Sequence, residues 1–192
     1  MAKSSKQHAA ENRQTIVDAA SELFRAQGFR GTSVPEVMQA ANMTHGGFYG
    51  HFTSKEALAA EALDGAFHWL EGWVDGIAAG HPDDPGAART QLVTTYLRAD
   101  HRDAPALGCP VAALAGDVAR EPAESAVRAS FGEGIEAVVA QLTGNAMQQD
   151  EQAALADYAT LVGALLLARA TAGRPISDKL LEAAKARLTG EA

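Results

Sequence analysis

Residues 32–55 read TSVPEVMQAANMTHGGFYGHFTSK, and this stretch predicts a helix, a tight turn and a second short helix. Ser33 and Glu36 have the spacing of a capping box, in which each side chain bonds the backbone N–H of the other residue. Asn42 tolerates the left-handed backbone conformation that a sharp corner needs. The apolar positions before that corner lie on one helix face: Val34, Val37, Met38 and Ala41.

The second short helix is predicted from residue 45 to residue 51. Thr44 is its candidate N-cap, and Phe48 and Phe52, four residues apart, give it a side to bury. The segment also holds three glycines, and each costs up to about 1 kcal/mol relative to alanine in a helix interior. Either these glycines let the backbone approach DNA closely, or they fit a cramped corner against the preceding helix. The residues alone leave both explanations open.

Helix, turn and short helix is an arrangement that reads DNA, but it also occurs as plain packing in all-α proteins. The formal net charge of −8 opposes DNA binding at first sight. The distribution of the charge does not oppose DNA binding, because residues 1–56 carry six Lys and Arg against five acidic residues. The acidic excess lies in the rest of the chain. A slightly basic N-terminal part on an acidic remainder suits a DNA-binding domain attached to a domain of another function.

The chain from residue 13 to residue 58 resembles the DNA-binding domain of the tetracycline-repressor (TetR) family of regulators. The residues that carry the resemblance are Ile16, Ala19, Ala20, Leu23, Phe24, Gly28, Phe29, Thr32, Ser33, Val34, Val37, Ala41, Gly46, Phe48, Tyr49, His51, Phe52, Ser54, Lys55, Glu56, Ala57 and Leu58.

The resemblance implies an all-α fold of about nine helices. It implies a helix-turn-helix head at residues 1–54 and an effector-binding and dimerisation body at residues 55–192, linked by a helix at about 55–79. It further implies a homodimer that binds double-stranded operator DNA, acts as a repressor, and is released by a small-molecule effector.

For the DNA contacts, the resemblance implies that Tyr49, His51 and Lys55 touch the phosphate backbone and that residues 44–47 read bases. The chain has His45 where relatives often have lysine or arginine. Lys55 is also informative by itself, because the dipole at the start of a helix disfavours a cation unless an anion lies nearby. The predicted DNA-binding residues are Thr32, Ser33, Thr44, His45, Gly46, Gly47, Tyr49, His51 and Lys55.

Aromatic residues in the body predict a ligand cavity or, alternatively, an ordinary core. Two tryptophans recur at helical spacing on the long helix at 55–79, and cavities for small molecules have mostly apolar walls with few polar groups. The predicted lining residues are Trp69, Trp73, Tyr96, Cys109 and Phe131.

Cys109 is the single cysteine of the chain, so no internal disulfide forms. Pro110 suits the first position of a helix, which makes Cys109 its N-cap, where the helix dipole can lower a thiol pKa. The alternatives are a small semi-buried residue, a thiol-based redox switch, or a nucleophile paired with His101. The sequence has no metal-spaced histidine cluster, glycine-rich phosphate loop or triad-like grouping. We therefore expect a protein that is not an enzyme and has no cofactor; the competing hypothesis is an all-α enzyme or ligand-binding protein without DNA binding.

The last two predicted helices, at about 150–172 and 177–188, predict the dimer interface. The earlier of them is apolar nearly all round between Tyr158 and Ala168, and a helix without a polar face must be covered on all sides. A partner subunit is the natural cover, and Ser177 is the predicted cap of the final helix. Since the N-terminus has no apolar run and this apolar stretch is shorter than the ~20 residues of a membrane span, we expect a cytoplasmic protein.

Overall fold

The computed structural model describes residues 5–144 and 147–191, and all the regular structure in those ranges is helical, as predicted. Residues 1–4 of the polar N-terminus lie outside the described residues. The helices are α1 (Ser5–Gly31), α2 (Val34–Ala40), a 3₁₀ helix (His45–Gly50), α3 (Lys55–Ala79), α4 (Pro85–Tyr96), α5 (Ala99–Asp103), a 3₁₀ turn (Pro105–Leu107), α6 (Pro110–Val118), α7 (Ala126–Thr143), α8 (Glu151–Ala170) and α9 (Pro175–Thr189).

The capping box at the start of α2 is confirmed. The Glu36 N–H donates to the Ser33 hydroxyl at 3.4 Å, and the Ser33 N–H donates to the Glu36 carboxylate at 2.7 Å. After α2, Asn42 adopts a φ of 56°, the left-handed conformation predicted for the corner. The capping box therefore fixes the start of α2, and Asn42 fixes the corner at which the chain leaves it.

The second short helix is a 3₁₀ helix and not an α-helix. Its N-cap position is Thr44, but the Thr44 side chain makes no capping hydrogen bond; its backbone carbonyl accepts from the Gly47 N–H at 2.9 Å. Three glycines in six residues weaken the helical preference, which explains the tighter and shorter form. Phe48 anchors the segment in the core, stacked on Phe52 at 5.7 Å between ring centroids.

Gly28 ends the first stretch of α1, and the helix resumes to Gly31 after a kink at its φ of 78°. A side chain at this position would collide with the carboxylate of Asp117, on α6. That carboxylate accepts a hydrogen bond from the Phe29 N–H at 2.8 Å. Glycine is therefore required both for the backbone conformation and for the approach of α6.

The long helix α3 packs along α7 in the centre of the body. A Cβ at Gly134 would overlap the ring of Phe67, so glycine is what allows the two helices to approach. Gly132, by contrast, has open space around its α-carbon. Close packing against Phe67 thus explains the glycine at position 134 but not the one at position 132.

The cap predicted for the last helix is wrong. The N-cap position of α9 is Arg174, which makes no side-chain capping bond, and Pro175 is the first helical residue. Ser177 is buried, and its hydroxyl donates to the Ala168 carbonyl at 2.8 Å and accepts from Arg102 at 2.9 Å. Because Pro175 starts the helix without a side-chain cap, the Ser177 hydroxyl is not needed there and instead ties α9 to the end of α8.

Several large apolar side chains of α8 and α9 point into solvent in the single chain. By length and composition, α8 is also the one helix of the described residues that could cross a membrane, although the sequence analysis expected none. The uncharged run between Tyr158 and Ala168 is too short for a span, whereas the full helix has 20 residues. The exposed apolar residues on this surface are Leu155, Leu166, Leu167 and Ile176.

Candidate functional site

The 3₁₀ helix presents an exposed polar face, here called the reading face: Thr44, His45, Gly46 and Tyr49. Tyr49 is 71% exposed, and its ring contacts the buried ring of Phe48 edge-on at 5.2 Å. The ring of His45 lies 6.4 Å from that of Tyr49, so both project from the same side. Phe48 thus fixes the position of a segment whose other side chains point away from the protein.

The glycines of this segment are not explained by crowding inside the chain. A Cβ at Gly46 or Gly50 would meet no atom within 4 Å, and one at Gly47 would make only an ordinary contact with Met38 at 3.7 Å. The cramped-corner explanation therefore has no support at these positions. Close approach to DNA stays a prediction.

Thr32 and Ser33 use their hydroxyls within the head. Thr32 is buried and donates to the carbonyls of Gly28 at 3.0 Å and Leu23 at 3.3 Å. Ser33 accepts the capping bond from Glu36 and donates its own N–H to the same residue. Both residues thus orient α2.

Lys55 and His51 lie at the base of the head, both half-buried. The Lys55 ammonium donates to the carbonyl of Phe29, at the end of α1, and lies 6.0 Å from the ring of Phe24. A carbonyl at a helix end carries partial negative charge, which explains a cation in the first turn of α3 without DNA. The His51 carbonyl accepts from Arg13 at 3.2 Å.

Arg13 is a structural residue of the head that the sequence analysis missed. Its guanidinium lies 4.0 Å over the ring of Phe52 and pairs with Glu61 on α3. Its partners lie 38 to 48 residues away, so no local pattern signals them. Arg13 fastens the C-terminal end of the 3₁₀ helix to α1 and α3.

A pocket of about 270 Å³ lies between α3, α4 and the segment that leads into α6. Four of the five predicted ligand residues line it: Trp69, Trp73, Tyr96 and Cys109. Phe131 is not among the lining residues and packs instead against Phe67, with 5.8 Å between ring centroids. Both tryptophans of the chain line this pocket, and Trp69 also borders a second depression between α1 and α3.

His101 is held as a neutral imidazole at the inner end of the pocket. The Cys109 N–H donates to Nε2 at 3.0 Å, so Nδ1 carries the proton and donates to the Tyr96 carbonyl at 2.7 Å. Burial lowers the pKa of His101 below its ordinary value. Since the Nε2 lone pair is occupied, His101 is not positioned to deprotonate the Cys109 thiol, and the geometry gives no support to a nucleophile pair.

Three buried polar groups beside Cys109 lack partners among the described residues: the hydroxyls of Tyr96 and Tyr158, and Nη1 of Arg169. Both hydroxyls lie near the thiol sulfur, which is a weak hydrogen-bonding group, and the Tyr96 hydroxyl also lies near Tyr158 and Arg169. Burial, with a contribution from Cys109, raises the pKa of both tyrosines well above the ordinary value. Among the same described residues, no group of histidine, cysteine and carboxylate side chains could hold a metal ion.

Residues 16–62 match the model of the bacterial regulatory proteins of the tetR family. The regulator AcrR of Shigella flexneri is 46% identical over 61 residues, which cover 32% of this chain and 28% of that protein. The repressor KstR2 of Rhodococcus jostii is 33% identical over 88 residues, 46% of this chain and 43% of that protein. The matched segments therefore span less than half of these curated relatives.

The crystal structure of a TetR-family transcriptional regulator from Cytophaga hutchinsonii extends the likeness to the whole fold. It superimposes with a TM-score of 0.78 at 25% identity and covers 98% of both chains. The head and the body thus both have counterparts in solved regulators. Residues 16–62 therefore form a DNA-binding helix-turn-helix domain of the TetR family, and the whole chain has the fold of a TetR-family transcriptional regulator.

Proposed function

We propose that the protein is a cytoplasmic repressor that binds operator DNA as a homodimer and is released when a small molecule occupies the pocket. The reading face carries this proposal: an exposed tyrosine and histidine on a glycine-rich segment that internal packing does not require. A surface of this kind can lie against the major groove with its backbone close to the bases.

Within this proposal, Thr44, His45 and the backbone at Gly46 and Gly47 contact bases, and the Tyr49 hydroxyl donates to a phosphate. The other predicted DNA-binding residues lie at the edges of the head: Thr32, Ser33, His51 and Lys55. Because Thr32 and Ser33 use their hydroxyls internally and Lys55 binds the Phe29 carbonyl, these three act mainly by holding the reading face in place. Because the head has little positive charge, phosphate contacts add little affinity, and base contacts must carry the specificity.

The exposed apolar side chains of α8 and α9 support a two-fold interface through these helices. A partner's copy of the same surface would cover them, as expected for an isologous dimer. Two heads would then face successive turns of the major groove. In this proposal residues 1–54 form the DNA-binding domain and residues 55–192 the effector and dimer domain, with α3 crossing between them.

Helix α6 offers a physical route from the pocket to the head. It begins beside Cys109 in the pocket wall and ends near Asp117, which accepts the hydrogen bond from the Phe29 N–H. The carbonyl of Phe29 is in turn bound by Lys55 at the start of α3. A ligand that moves α6 therefore acts on the peptide groups on both sides of Phe29, and it can shift the equilibrium by no more than its differential affinity for the two states.

The test is fluorescence-anisotropy binding to the DNA directly upstream of the coding region, in a salt series against random DNA. Tyr49→Phe is expected to weaken operator binding by about 3- to 10-fold, which corresponds to the loss of one ordinary hydrogen bond, without changing the melting temperature. His45→Ala is expected to change the preferred sequence, and His68→Ala, an exposed histidine on α3, is its matched control.

Equal binding of wild-type protein to genomic operator fragments and random DNA would refute the proposal. Binding that Tyr49→Phe and His45→Ala leave unchanged would refute the assignment of the reading face. The thiol-switch alternative gains no support from the geometry, because Cys109 is 1% exposed and redox-sensing thiols are accessible.

A further inference from the structure

We infer that the pocket binds a small organic monoanion, a carboxylate with an apolar, aryl-bearing body. Its carboxylate would lie at the inner end beside Tyr96, Tyr158 and Arg169, and its body between the tryptophans. The regulatory meaning of this ligand rests on the proposed function, but the binding site is argued from the pocket itself.

The outer part of the pocket suits an aromatic or alkyl group. Trp69 and Trp73 lie one turn apart on α3, and Leu70 and Leu107 complete the apolar walls. Trp69 is 50% exposed in this state, which leaves much of its indole surface for a ligand to cover. Flat indole faces stack on aryl groups with little loss of side-chain freedom.

The inner part presents hydrogen-bond donors without acceptors. Tyr96 lines the pocket, is 2% exposed, and its hydroxyl has no oxygen or nitrogen partner among the described residues. The Tyr158 hydroxyl, on α8, is buried in the same surroundings of Cys109 and also lacks such a partner. Buried hydroxyls are nearly always satisfied, so two adjacent exceptions indicate an acceptor that comes from outside.

Arg169 makes the surroundings of the pocket's inner end positively charged. Its guanidinium donates to the carbonyls of His101 at 2.9 Å and Arg102 at 3.3 Å, while Nη1 is buried without a partner. No carboxylate pairs with Arg169 in residues 5–144 and 147–191. At the pocket rim, Asp100 is already paired with Arg98 at 2.7 Å and so does not neutralise it. A half-buried cation without a counterion attracts an anion.

Gly108 brings this charge to the pocket wall. A Cβ at Gly108, which lines the pocket, would lie 2.9 Å from Nη2 of Arg169 and 2.6 Å from the His101 ring. The glycine therefore allows the guanidinium and the His101 ring to pack against the backbone of the pocket wall. Tyr158 and Arg169 do not line the pocket but lie directly behind its wall at Tyr96, Gly108 and Cys109. Since His101 is neutral, this end of the pocket offers one positive charge and two hydroxyls, which matches a carboxylate better than a doubly charged phosphate.

The test compares 4-phenylbutyrate with its neutral amide, 4-phenylbutyramide, on the full-length protein. Calorimetry gives the affinities, and tryptophan fluorescence reports the site because both tryptophans line the pocket. We expect the carboxylate to bind at least about tenfold more tightly than the amide, as for a hydrogen bond to a charged group. Arg169→Gln should remove this preference, whereas Arg128→Gln, a half-buried arginine outside the pocket, should keep it.

Tyr96→Phe provides a second test of the inference if the Arg169→Gln variant fails to fold. It removes a hydroxyl that has no oxygen or nitrogen partner, so the melting temperature should stay or rise, while carboxylate binding falls at least about fivefold and amide binding is unchanged. A purely structural role for Tyr96 would move the melting temperature instead. Equal affinity for acid and amide, or binding of neither, overturns the inference.

Operator binding is measured on the same preparations. A protein that binds operator DNA but shows no carboxylate preference defeats this inference and leaves the proposed function standing. A protein that binds the carboxylate through Arg169 but no operator defeats the proposed function alone.

Discussion

Asp117→Ala tests the connection between the body and the head. The Asp117 carboxylate accepts from the Phe29 N–H at 2.8 Å, with the Asp117 side chain 20% exposed and Phe29 buried. Loss of a hydrogen bond to a charged acceptor, with the amide left largely buried, is expected to cost about 1.5–3 kcal/mol. For a chain of this size, that lowers the melting temperature by about 3–12 °C.

The same substitution should separate DNA binding from ligand response. The reading face is held by Phe48 and by the capping bonds of α2, none of which involves Asp117. Operator affinity in the absence of ligand is therefore expected to stay within about threefold of wild type, a smaller change than the loss of a typical hydrogen bond to DNA would cause. Release of DNA by a pocket ligand should be weakened, because α6 no longer holds Phe29. Melting by circular dichroism and operator anisotropy with and without ligand measure the two effects.

Arg120→Ala is the matched control. Arg120 pairs with Asp117 at 2.7 Å but is 61% exposed, so its loss should cost at most about 1 kcal/mol and leave ligand response intact. A wild-type melting temperature for Asp117→Ala would refute the hydrogen bond as a stabilising contact. A destabilised Asp117→Ala protein with full ligand response would show that the coupling runs elsewhere.

Three further outcomes follow from the packing, the buried imidazole and the uncovered apolar surface. Gly134→Ala presses a methyl group against Phe67 and should lower the free energy of unfolding by about 1–3 kcal/mol, whereas Gly132→Ala on the same helix should raise it by up to about 1 kcal/mol in denaturant unfolding; equal stability would contradict the close helix contact. Burial lowers the pKa of His101, so the stability that the neutral ring contributes is complete above pH about 6.5 and is lost as the pH falls through its lower folded-state pKa; His101→Gln should flatten the dependence of melting temperature on pH in that window, and an unchanged slope would contradict this. Leu167→Glu puts a charge on the exposed apolar surface of α8 and should yield monomers in sedimentation velocity, which a dimeric variant or a monomeric wild type would contradict.

The parts of the fold that the sequence predicts well depend on short-range chemistry. The capping box of Ser33 and Glu36, the left-handed Asn42 and the span of α3 all involve residues within a few positions of one another. In the same way, the helical spacing of Trp69 and Trp73 predicts that they share one side, which lines the pocket. Local hydrogen bonds and helical periodicity can be predicted from the sequence because the residues involved are neighbours in the chain.

The contacts that the sequence does not predict join residues far apart. Phe29 and Asp117 are 88 residues apart, and Lys55 is 26 residues from the carbonyl that it binds. Ser177 has the chemistry of a cap, yet the neighbouring proline starts the helix and frees the hydroxyl to bind Ala168. Polar side chains can satisfy several kinds of partner, and only the packed fold determines which one they meet.

Helix α3 runs unbroken for 25 residues, from the base of the head to beyond both pocket tryptophans. At 1.5 Å per residue it is about 37 Å long, so it works as a lever arm. A tilt of about 5° around one end displaces the other by about 3 Å. Hydrogen bonds tolerate only a few tenths of an ångström before they weaken, so under the proposed function a rotation that barely disturbs the pocket would be enough to lift a head out of register with its DNA.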